Sequence, residues 1–238
     1  MAMHLLRSGI TLQRPAERRV DEAVELFYAL MANDASMRSL TGGQPELLLR
    51  ALGRAMLRAG LLSGEYYEAA TAEGELVGFL MAMPPGQDIF STDEQRALGL
   101  TEFMGRLSAA GHEFYKTTYM HEFPAFVNSL LGPTGRRDCW YLHMIMVQAA
   151  HQRTGIAKGL IGLAARTADV VALSCTTPVN ATIYQRCGLQ LRGQRAMPSP
   201  WGPWPLYLLA QGTGAAAARA GAGVVRGGEK ATSLEREA

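Results

Sequence analysis

Two short segments hold the residues whose types and spacing are best suited to chemistry. The first, QRTGIA, runs from Gln152 to Ala157 after an apolar stretch. A helix that begins here offers unpaired backbone N–H groups and the positive end of its dipole, and the small residues Gly155 and Ala157 let an anion approach closely. The turn therefore suits a pyrophosphate, with Arg153 and Lys158 adding charge. An ordinary strand-to-helix turn explains the same residues equally well.

The second segment, NATIYQRCGL, begins at Asn180 and places Tyr184 four residues later. This spacing puts both side chains on one face of a helix. A tyrosine hydroxyl beside a bound thioester can protonate a leaving thiolate, and an asparagine can hydrogen-bond the amide groups of a cofactor arm. A tyrosine on a short helix more often serves packing. Its position one strand after the first segment favours the chemical role.

The elements around these segments predict a mixed α/β domain. The run CWYLHMIMV, residues 139–147, is almost continuously apolar, which is typical of a buried central strand. The helix GIAKGLIGLAARTA follows the first segment, and DVVALSC is a second buried strand. Gly188 ends the helix that carries Tyr184. Two closing strands are predicted at 189–197 and 204–211.

The N-terminal half contains two predicted helices and a strand pair. Periodic apolar positions predict a helix within residues 14–34. The segment PELLLRALGRAMLRAG has Pro45 at its first helical position and predicts a second helix that ends before Gly60. Two strands then follow around a turn at Glu73 and Gly74.

Residues 87–138 form a helical insertion between the third and fourth predicted strands. The segment STDEQRALGLTEFMGRLS has Glu94 three residues after Ser91, which is the spacing of a capping box. HEFYKTTYMHEFPAFVNSLLG predicts further helix, interrupted near Pro124. The insertion is expected to form part of a pocket wall.

Composition limits the classes of function and partner. The 238 residues include 23 basic and 21 acidic ones, a net charge of +2 that gives little reason to expect nucleic acid. Three widely spaced cysteines, Cys139, Cys175 and Cys187, favour a reducing, cytoplasmic compartment and have no zinc-site spacing, so no metal is expected. No apolar run approaches the roughly 20 residues of a membrane span. An arginine-bearing N-terminus leaves a mitochondrial transit peptide open. Residues 212–238 are Gly/Ala-rich and predict a disordered tail after a domain at 1–211.

Taken together, the two segments resemble the GNAT superfamily of acetyl-CoA-dependent N-acetyltransferases. The family's Gln/Arg-x-x-Gly-x-Gly/Ala loop matches QRTGIA, and its Asn, Tyr and Gly pattern matches NATIYQRCGL. The resemblance is strongest over 139–210 and weaker over 10–83, and the ending MPSPWGPWPLY is similar to fungal members. It implies a mixed α/β fold, a mostly antiparallel twisted sheet flanked by helices. The family joins its third and fourth strands by a short hairpin, so the insertion at 87–138 is a departure that leaves the acceptor pocket open.

The resemblance also implies roles for individual residues. Acetyl-CoA would be the co-substrate, and the acceptor would be a small-molecule amine that is acetylated by direct transfer. Asn180 would steady the cofactor arm, and Tyr184 would protonate the departing thiolate. The remaining cofactor contacts would be backbone groups of Ile145, Met146 and Val147 on the pantetheine, and Gln152, Arg153, Thr154, Gly155, Ile156 and Ala157 around the pyrophosphate.

A base for the amine is expected on the central strand. Strand alternation places Tyr141, His143, Ile145 and Val147 on one face. Some relatives carry a base on this strand that points at the acceptor, so His143 is the candidate. A core histidine with satisfied hydrogen bonds explains the residue equally well.

Several alternatives remain open at this point. His121 and Glu122 are weaker bases that a solvated helix face explains, and Trp201 and Trp204 floor the pocket or belong to a rigid loop over the sheet edge. Transfer to a hydroxyl, transfer of a longer acyl group, and a non-catalytic CoA-binding module would all keep the motifs. The run AARTADVVALS passes from helix to strand with almost no connector, which implies a short helix or missing residues.

Overall fold

The computed structural model describes residues 4–6, 8–15, 19–132 and 134–212. The predicted tail, apart from its first residue, lies outside the described residues. Eight strands in the described part form one sheet, in the order β1-β2-β3-β4-β5-β6-β8-β7, with these bounds: β1 His4–Leu5, β2 Thr11–Gln13, β3 Glu65–Ala70, β4 Leu76–Met83, β5 Trp140–Val147, β6 Val170–Cys175, β7 Gln190–Met197 and β8 Trp204–Gly212. The pair β5–β6 is parallel and the other pairs are antiparallel. The predicted mixed, mostly antiparallel sheet is confirmed.

Helices flank both faces of this sheet. Their bounds are α1 Val20–Met31, α2 Ala35–Leu40, α3 Pro45–Ser63, α4 Asp93–Ala97, α5 Leu100–Gly105, α6 Ala109–Phe114, α7 Met120–Leu131, α8 Ile156–Ala164 and α9 Pro178–Arg186. One core cluster joins α8 and α9 to one face of β4, β5 and β6, and a second joins α1 and α3 to the opposite face of β4 and β5. A third places α7 against β6 and β8. The insertion is therefore built into the core instead of projecting from it.

The insertion lies between β4 and β5, which are the fourth and fifth strands of the structure. The sequence-based count of third and fourth is wrong because the two-residue strand β1, which pairs with β2, has too few residues to produce a pattern. The predicted helix at 91–108 breaks at Gly99, whose φ is 145°. Thr92, not Ser91, caps α4, because its hydroxyl accepts the Gln95 N–H at 3.2 Å.

Two further details of the predicted helices differ: the interruption near Pro124 and the end of α3. Pro124 lies within α7, and a π-helical turn, Tyr115–Tyr119, joins α6 to α7 just before it. The helix is therefore irregular at this π-helical turn, just before the proline at which the interruption was predicted. The helix α3 continues through Gly60 to Ser63, since that glycine lets the Met81 side chain of β4 pack directly against the helix backbone.

The abrupt connection between helix and strand is explained by a short helix. The helix α8 ends at Ala164, a single 3-10 turn spans Ala165–Thr167, and β6 begins at Val170. At the end of α9, Gly188 adopts a φ of 106°, and Leu189 N–H donates to the Tyr184 carbonyl at 3.1 Å. This left-handed stop at Gly188 confirms the predicted end of that helix.

Candidate active site

The parallel strands β5 and β6 separate part of the way along their length. Their recorded pairing runs from Trp140 opposite Val171 to Leu142 opposite Leu173, although β5 continues to Val147. A bulge at His143 accompanies the separation: Met144 lies opposite Met81, but Leu142 lies opposite Ala82, so His143 is an extra residue in β5. A bulge bends a strand and increases its twist. The result is a split in the sheet directly after Leu142.

The bulge also changes which side chains share a face of β5. Leu142, Ile145 and Val147 pack in the core cluster under α8, whereas Met144 and Met146 pack in the cluster under α1 and α3. The prediction that Tyr141 and His143 share a face with Ile145 and Val147 is therefore wrong. One inserted residue reverses the alternation of every side chain beyond it.

Backbone groups of β5 face the split at alternate residues. The N–H of Gln148 donates to the Val77 carbonyl at 2.9 Å, which continues the pairing of β5 with β4. In an antiparallel pair, residues turn toward the same neighbour at every second position. Met146 therefore directs its backbone groups to β4, and Ile145 and Val147 direct theirs into the split. Of the three residues predicted to contact the pantetheine arm, Ile145 and Val147 thus have backbone groups that face the split, and all three line the cavity.

The turn from Gln152 to Ala157 is held open by its own hydrogen bonds. The Gln152 amide donates to the Val147 carbonyl at 3.1 Å, and the Thr154 hydroxyl donates to the His151 carbonyl at 2.6 Å. Thr154 therefore uses its side chain inside the turn, and it does not line the cavity. Gly155 begins α8 with a φ of 92°, a left-handed conformation.

Backbone amides at the start of α8 are available to a ligand. Gly159 N–H donates to the Gly155 carbonyl at 2.9 Å, and the amides that precede it lie at the helix start, where intrahelical partners are lacking. Ile156 is buried in the core, so only its backbone can contact a ligand, while Arg153 and Lys158 line the cavity beside it. The arrangement combines backbone amides, a helix dipole and cationic side chains, which is an environment that suits an anion.

The helix α9 brings Asn180 and Tyr184 to the same cavity. Thr177 caps the helix, since its hydroxyl accepts the Asn180 N–H at 3.1 Å, and this fixes the direction in which α9 leaves β6. Both predicted residues line the cavity, as does the loop before α8. Burial raises the pKa of Tyr184, so its hydroxyl keeps its proton at neutral pH. That hydroxyl makes no hydrogen bond within the described part of the chain.

His143 lies on the other side of β5 among charged groups from the insertion. Its side chain is 6% exposed, and its Nε2 has no hydrogen-bond partner among the described residues. Asp88 Oδ1 is 3.9 Å from that nitrogen, and Asp88 Oδ2 accepts a hydrogen bond from Arg136 at 2.6 Å. The Tyr141 ring packs edge-on against the imidazole, and its hydroxyl donates to Ser174 at 2.9 Å.

The imidazole of His143 is neutral in the folded protein. Burial lowers its pKa well below the usual value, and the positive charge of Arg136 lowers it further. Asp88 does not reverse this shift, because its carboxylate is already paired with Arg136. His143 lines the cavity and its Nε2 is buried without a hydrogen-bond partner among the described residues, so a core histidine with satisfied hydrogen bonds is not what the structure contains.

Acid should destabilise the protein through His143. Unfolded histidine binds a proton below about pH 6.5, whereas buried His143 does not. The unfolded state therefore binds more protons in acid, and the free energy of unfolding falls by up to about 1.4 kcal/mol per pH unit as the pH drops through that value. In thermal melts between about pH 7 and about pH 5, His143→Gln should lose less stability than the wild type. The variant His121→Gln, at an exposed position, should behave as the wild type; equal slopes for all three would contradict a buried neutral imidazole.

Sequence reasoning missed Asp88 and Arg136. Each lies in the insertion, Asp88 five residues after the end of β4 and Arg136 four residues before β5. The only available signal was that both flanks of an insertion return to adjacent strands, which brings their polar residues near each other. The weaker base candidates have other environments. Glu122 pairs with Arg195 at 2.7 Å, and the His121 side chain is exposed to solvent.

The tryptophans have two different environments. Trp204 is buried in β8 within the cluster that packs against α7, and it lines the cavity. Trp201 lies against Gly43 and meets the Phe114 ring edge-on at 5.7 Å. Trp201 therefore covers the insertion and the start of α3, not the sheet edge.

The split, the start of α8, the residues Asn180 and Tyr184 of α9, and His143 with Asp88 and Arg136 line one cavity of about 1650 Å³. A drug-sized ligand occupies a pocket of roughly 300–1,000 Å³, so this volume suits two ligands side by side. One part lies between the split, α8 and α9, and contains the anion site and Tyr184. The other part lies under α1–α3 and the insertion. His143 also lines the cavity.

Solved structures with the same fold include several acetyltransferases. The protein described as histone acetyltransferase HPA2 and related acetyltransferase from Corynebacterium glutamicum is 20% identical, covers 84% of this chain and 95% of its own, and has a TM-score of 0.53. Arylalkylamine N-acetyltransferase 2 from Aedes aegypti is 14% identical over 85% and 98%, with a TM-score of 0.55. At these identities the likeness concerns the fold, and the predicted mixed α/β architecture is shared with these acetyltransferases.

Comparison of the sequence itself gives no match: no protein-family model and no curated protein matches it. The solved structures above come from a bacterium and an insect, so similarity to fungal members stays a prediction. Within the described ranges, no helix is long and apolar enough to cross a membrane. The same residues contain no group of three or more His, Cys, Asp or Glu side chains arranged to hold a metal ion.

Proposed function

We propose that the protein transfers the acetyl group of acetyl-CoA to the primary amine of a small molecule. One observation carries the proposal: an amide-rich turn suited to a pyrophosphate, a strand edge with free backbone groups and a protonated tyrosine open onto one cavity. The first two features suit the phosphates and the amide-bearing arm of CoA. The third supplies a proton where the thioester would end.

The binding roles follow from position. The amides of residues 155–158 would hold the pyrophosphate, with Arg153 and Lys158 contributing charge. Ile145 and Val147 would pair with the pantetheine arm as a neighbouring strand does, since the split leaves both of their N–H groups and the Ile145 carbonyl without a partner among the described residues, while the Val147 carbonyl accepts from Gln152. Asn180 would hydrogen-bond the same arm from α9. Gln152 and Thr154 would act by shaping the turn, through the bonds they make within it.

The chemistry needs one attack and two proton transfers. The amine nitrogen attacks the thioester carbonyl carbon, so a C–N bond forms, the C–S bond breaks and no acyl-enzyme intermediate is made. A backbone N–H of β5 stabilises the negative charge on the carbonyl oxygen. The acceptor reacts as the neutral amine; His143 accepts the proton that its nitrogen loses and then releases it to solvent, and Tyr184 donates its proton to the CoA thiolate. Tyr184 then regains a proton from solvent.

We also propose a cytoplasmic location, which the three free cysteines of the described residues support.

Thermal stability and CoA release in the same sample test this function. Acetyl-CoA at a hundred times its dissociation constant should stabilise the protein by about 2.7 kcal/mol. We expect that shift, together with CoA release when a primary amine is added. No shift with millimolar acetyl-CoA would contradict the proposal. A shift without release from any amine, but with release from an alcohol or from a longer acyl-CoA, would replace it with those reactions. A shift without any release would leave a CoA-binding module.

A further inference from the structure

The part of the cavity under α1–α3 and the insertion is apolar and rich in methionine. We define the acceptor chamber by six residues that line it from α1, α2, α3, α5 and the π-helical turn: Met31, Met37, Met56, Met104, Tyr115 and Tyr119. Methionine side chains are flexible and polarizable, so they adapt to apolar ligands of varied shape. The Tyr115 hydroxyl donates to the Leu40 carbonyl at 3.0 Å, which turns the polar end of that ring away from a ligand.

The charges around the chamber do not suit a polycation. Among the described residues that line the cavity, the carboxylates are those of Asp88 and Glu113, and Glu113 is exposed. Arg136 neutralises Asp88, Arg96 is paired with Asp93, and Lys116 adds positive charge to the same walls. A ligand with several ammonium groups would place at least one of them against methionine and tyrosine. An unpaired buried charge is strongly unfavourable.

One place in the chamber can receive a single ammonium or amine group. Asp88 Oδ1 and His143 Nε2 are 3.9 Å apart, and Nε2 is buried without a partner among the described residues. A nitrogen at about 2.9 Å from both atoms, an ordinary hydrogen-bond distance, fits this separation. It would donate one hydrogen to the carboxylate and one to the imidazole, at the border with the split where the thioester would lie.

We infer that the acceptor is a primary amine with one charge and a large uncharged apolar body, bound with its nitrogen between Asp88 and His143 and its body in the acceptor chamber. The inference rests on the proposed function, because that function supplies the reason for an amine to enter. It adds a role for Asp88 in holding the substrate and excludes polyamines as preferred acceptors.

Octylamine and spermidine are probes that separate these two classes. We expect the full-length protein to release CoA from acetyl-CoA with a kcat/KM for octylamine at least about 100-fold above that for spermidine, because a second ammonium has no partner in the chamber. Asp88→Asn should raise the KM for octylamine by about 10- to 100-fold, since a charge-assisted hydrogen bond is lost. Glu94→Gln, at an exposed carboxylate of the same insertion that does not line the cavity, should behave as the wild type.

Binding of octylamine to the CoA-saturated protein, followed by calorimetry, separates the inference from the proposed function. Octylamine binding that exceeds spermidine binding supports the inference even if no CoA is released. If spermidine is acetylated as well as octylamine or better, the inference is wrong and the proposed acetyl transfer still stands. If octylamine does not bind, the inference is wrong whether or not CoA is released.

If Asp88→Asn does not fold, Met104→Glu replaces it: a carboxylate in the chamber should reverse the preference toward spermidine, and an unchanged preference would count against the chamber.

Discussion

Tyr184→Phe should lower kcat for acetyl transfer by about 100- to 1,000-fold, the usual contribution of a positioned acid. Burial raises the pKa of Tyr184, so its hydroxyl is protonated when the thiolate forms, and the ring lines the cavity at the end of the cofactor side. Phenylalanine retains the packing of the ring and removes only the proton. The dissociation constant of acetyl-CoA should therefore change little.

A second tyrosine provides the control for this result. Tyr207 is partly buried and packs against the same core cluster as Tyr184, but it does not line the cavity. Tyr207→Phe should leave kcat unchanged. Steady-state kinetics of CoA release and calorimetry with acetyl-CoA measure the two effects separately. An unchanged kcat in Tyr184→Phe would exclude this residue as the acid, and equal losses in both variants would indicate a structural effect.

Gly155→Ala should weaken acetyl-CoA binding by about 10- to 100-fold, or about 1.4–2.8 kcal/mol. A Cβ at this position meets no atom within 4 Å, so the protein itself has room for it. In the proposed complex the pyrophosphate would approach the amides of α8 through the same space, and the added methyl group would occupy it. The left-handed φ of 92° adds a backbone strain of about 1–2 kcal/mol that lowers stability.

Gly74 separates these two effects. It has a φ of 87°, its Cβ would also meet nothing within 4 Å, and it lies in the β3–β4 turn outside the cavity. Gly74→Ala should lose similar stability and keep its affinity for acetyl-CoA. Thermal melts and titrations of both variants make the comparison. If the two variants bind acetyl-CoA equally well, the turn before α8 is an ordinary turn.

The turn before α8 and the helix α9 could be predicted because their signals are local. The loop before α8 is recognised by Gly155, which needs a left-handed backbone, and α9 by the spacing of Asn180 and Tyr184 and by Gly188 at its end. In each case the residues that define the feature are neighbours in sequence. The order of strands and helices around them follows from short apolar runs of the same kind.

The acceptor side could not be predicted because its contacts join distant segments. The bulge at His143 depends on how β5 pairs with β4, and no residue type in CWYLHMIMV indicates it. That single residue reversed the predicted faces of Ile145 and Val147. Asp88 and Arg136 are 48 residues apart and meet only because the insertion folds back on the sheet. Cavity walls of this kind become visible only when the packing is known.

Amide NMR of the isotopically labelled protein, titrated with acetyl-CoA, tests the central claim most directly. We expect the backbone amides of Ile145, Val147 and residues 155–158 to shift with saturable behaviour, because the first pair would bond the pantetheine arm and the second group the pyrophosphate. The amides of the β3–β4 turn, residues 72–74, should not move. Shifts confined to other surfaces, or no shift with millimolar acetyl-CoA, would contradict the assignment of this split and turn as the site of acetyl-CoA.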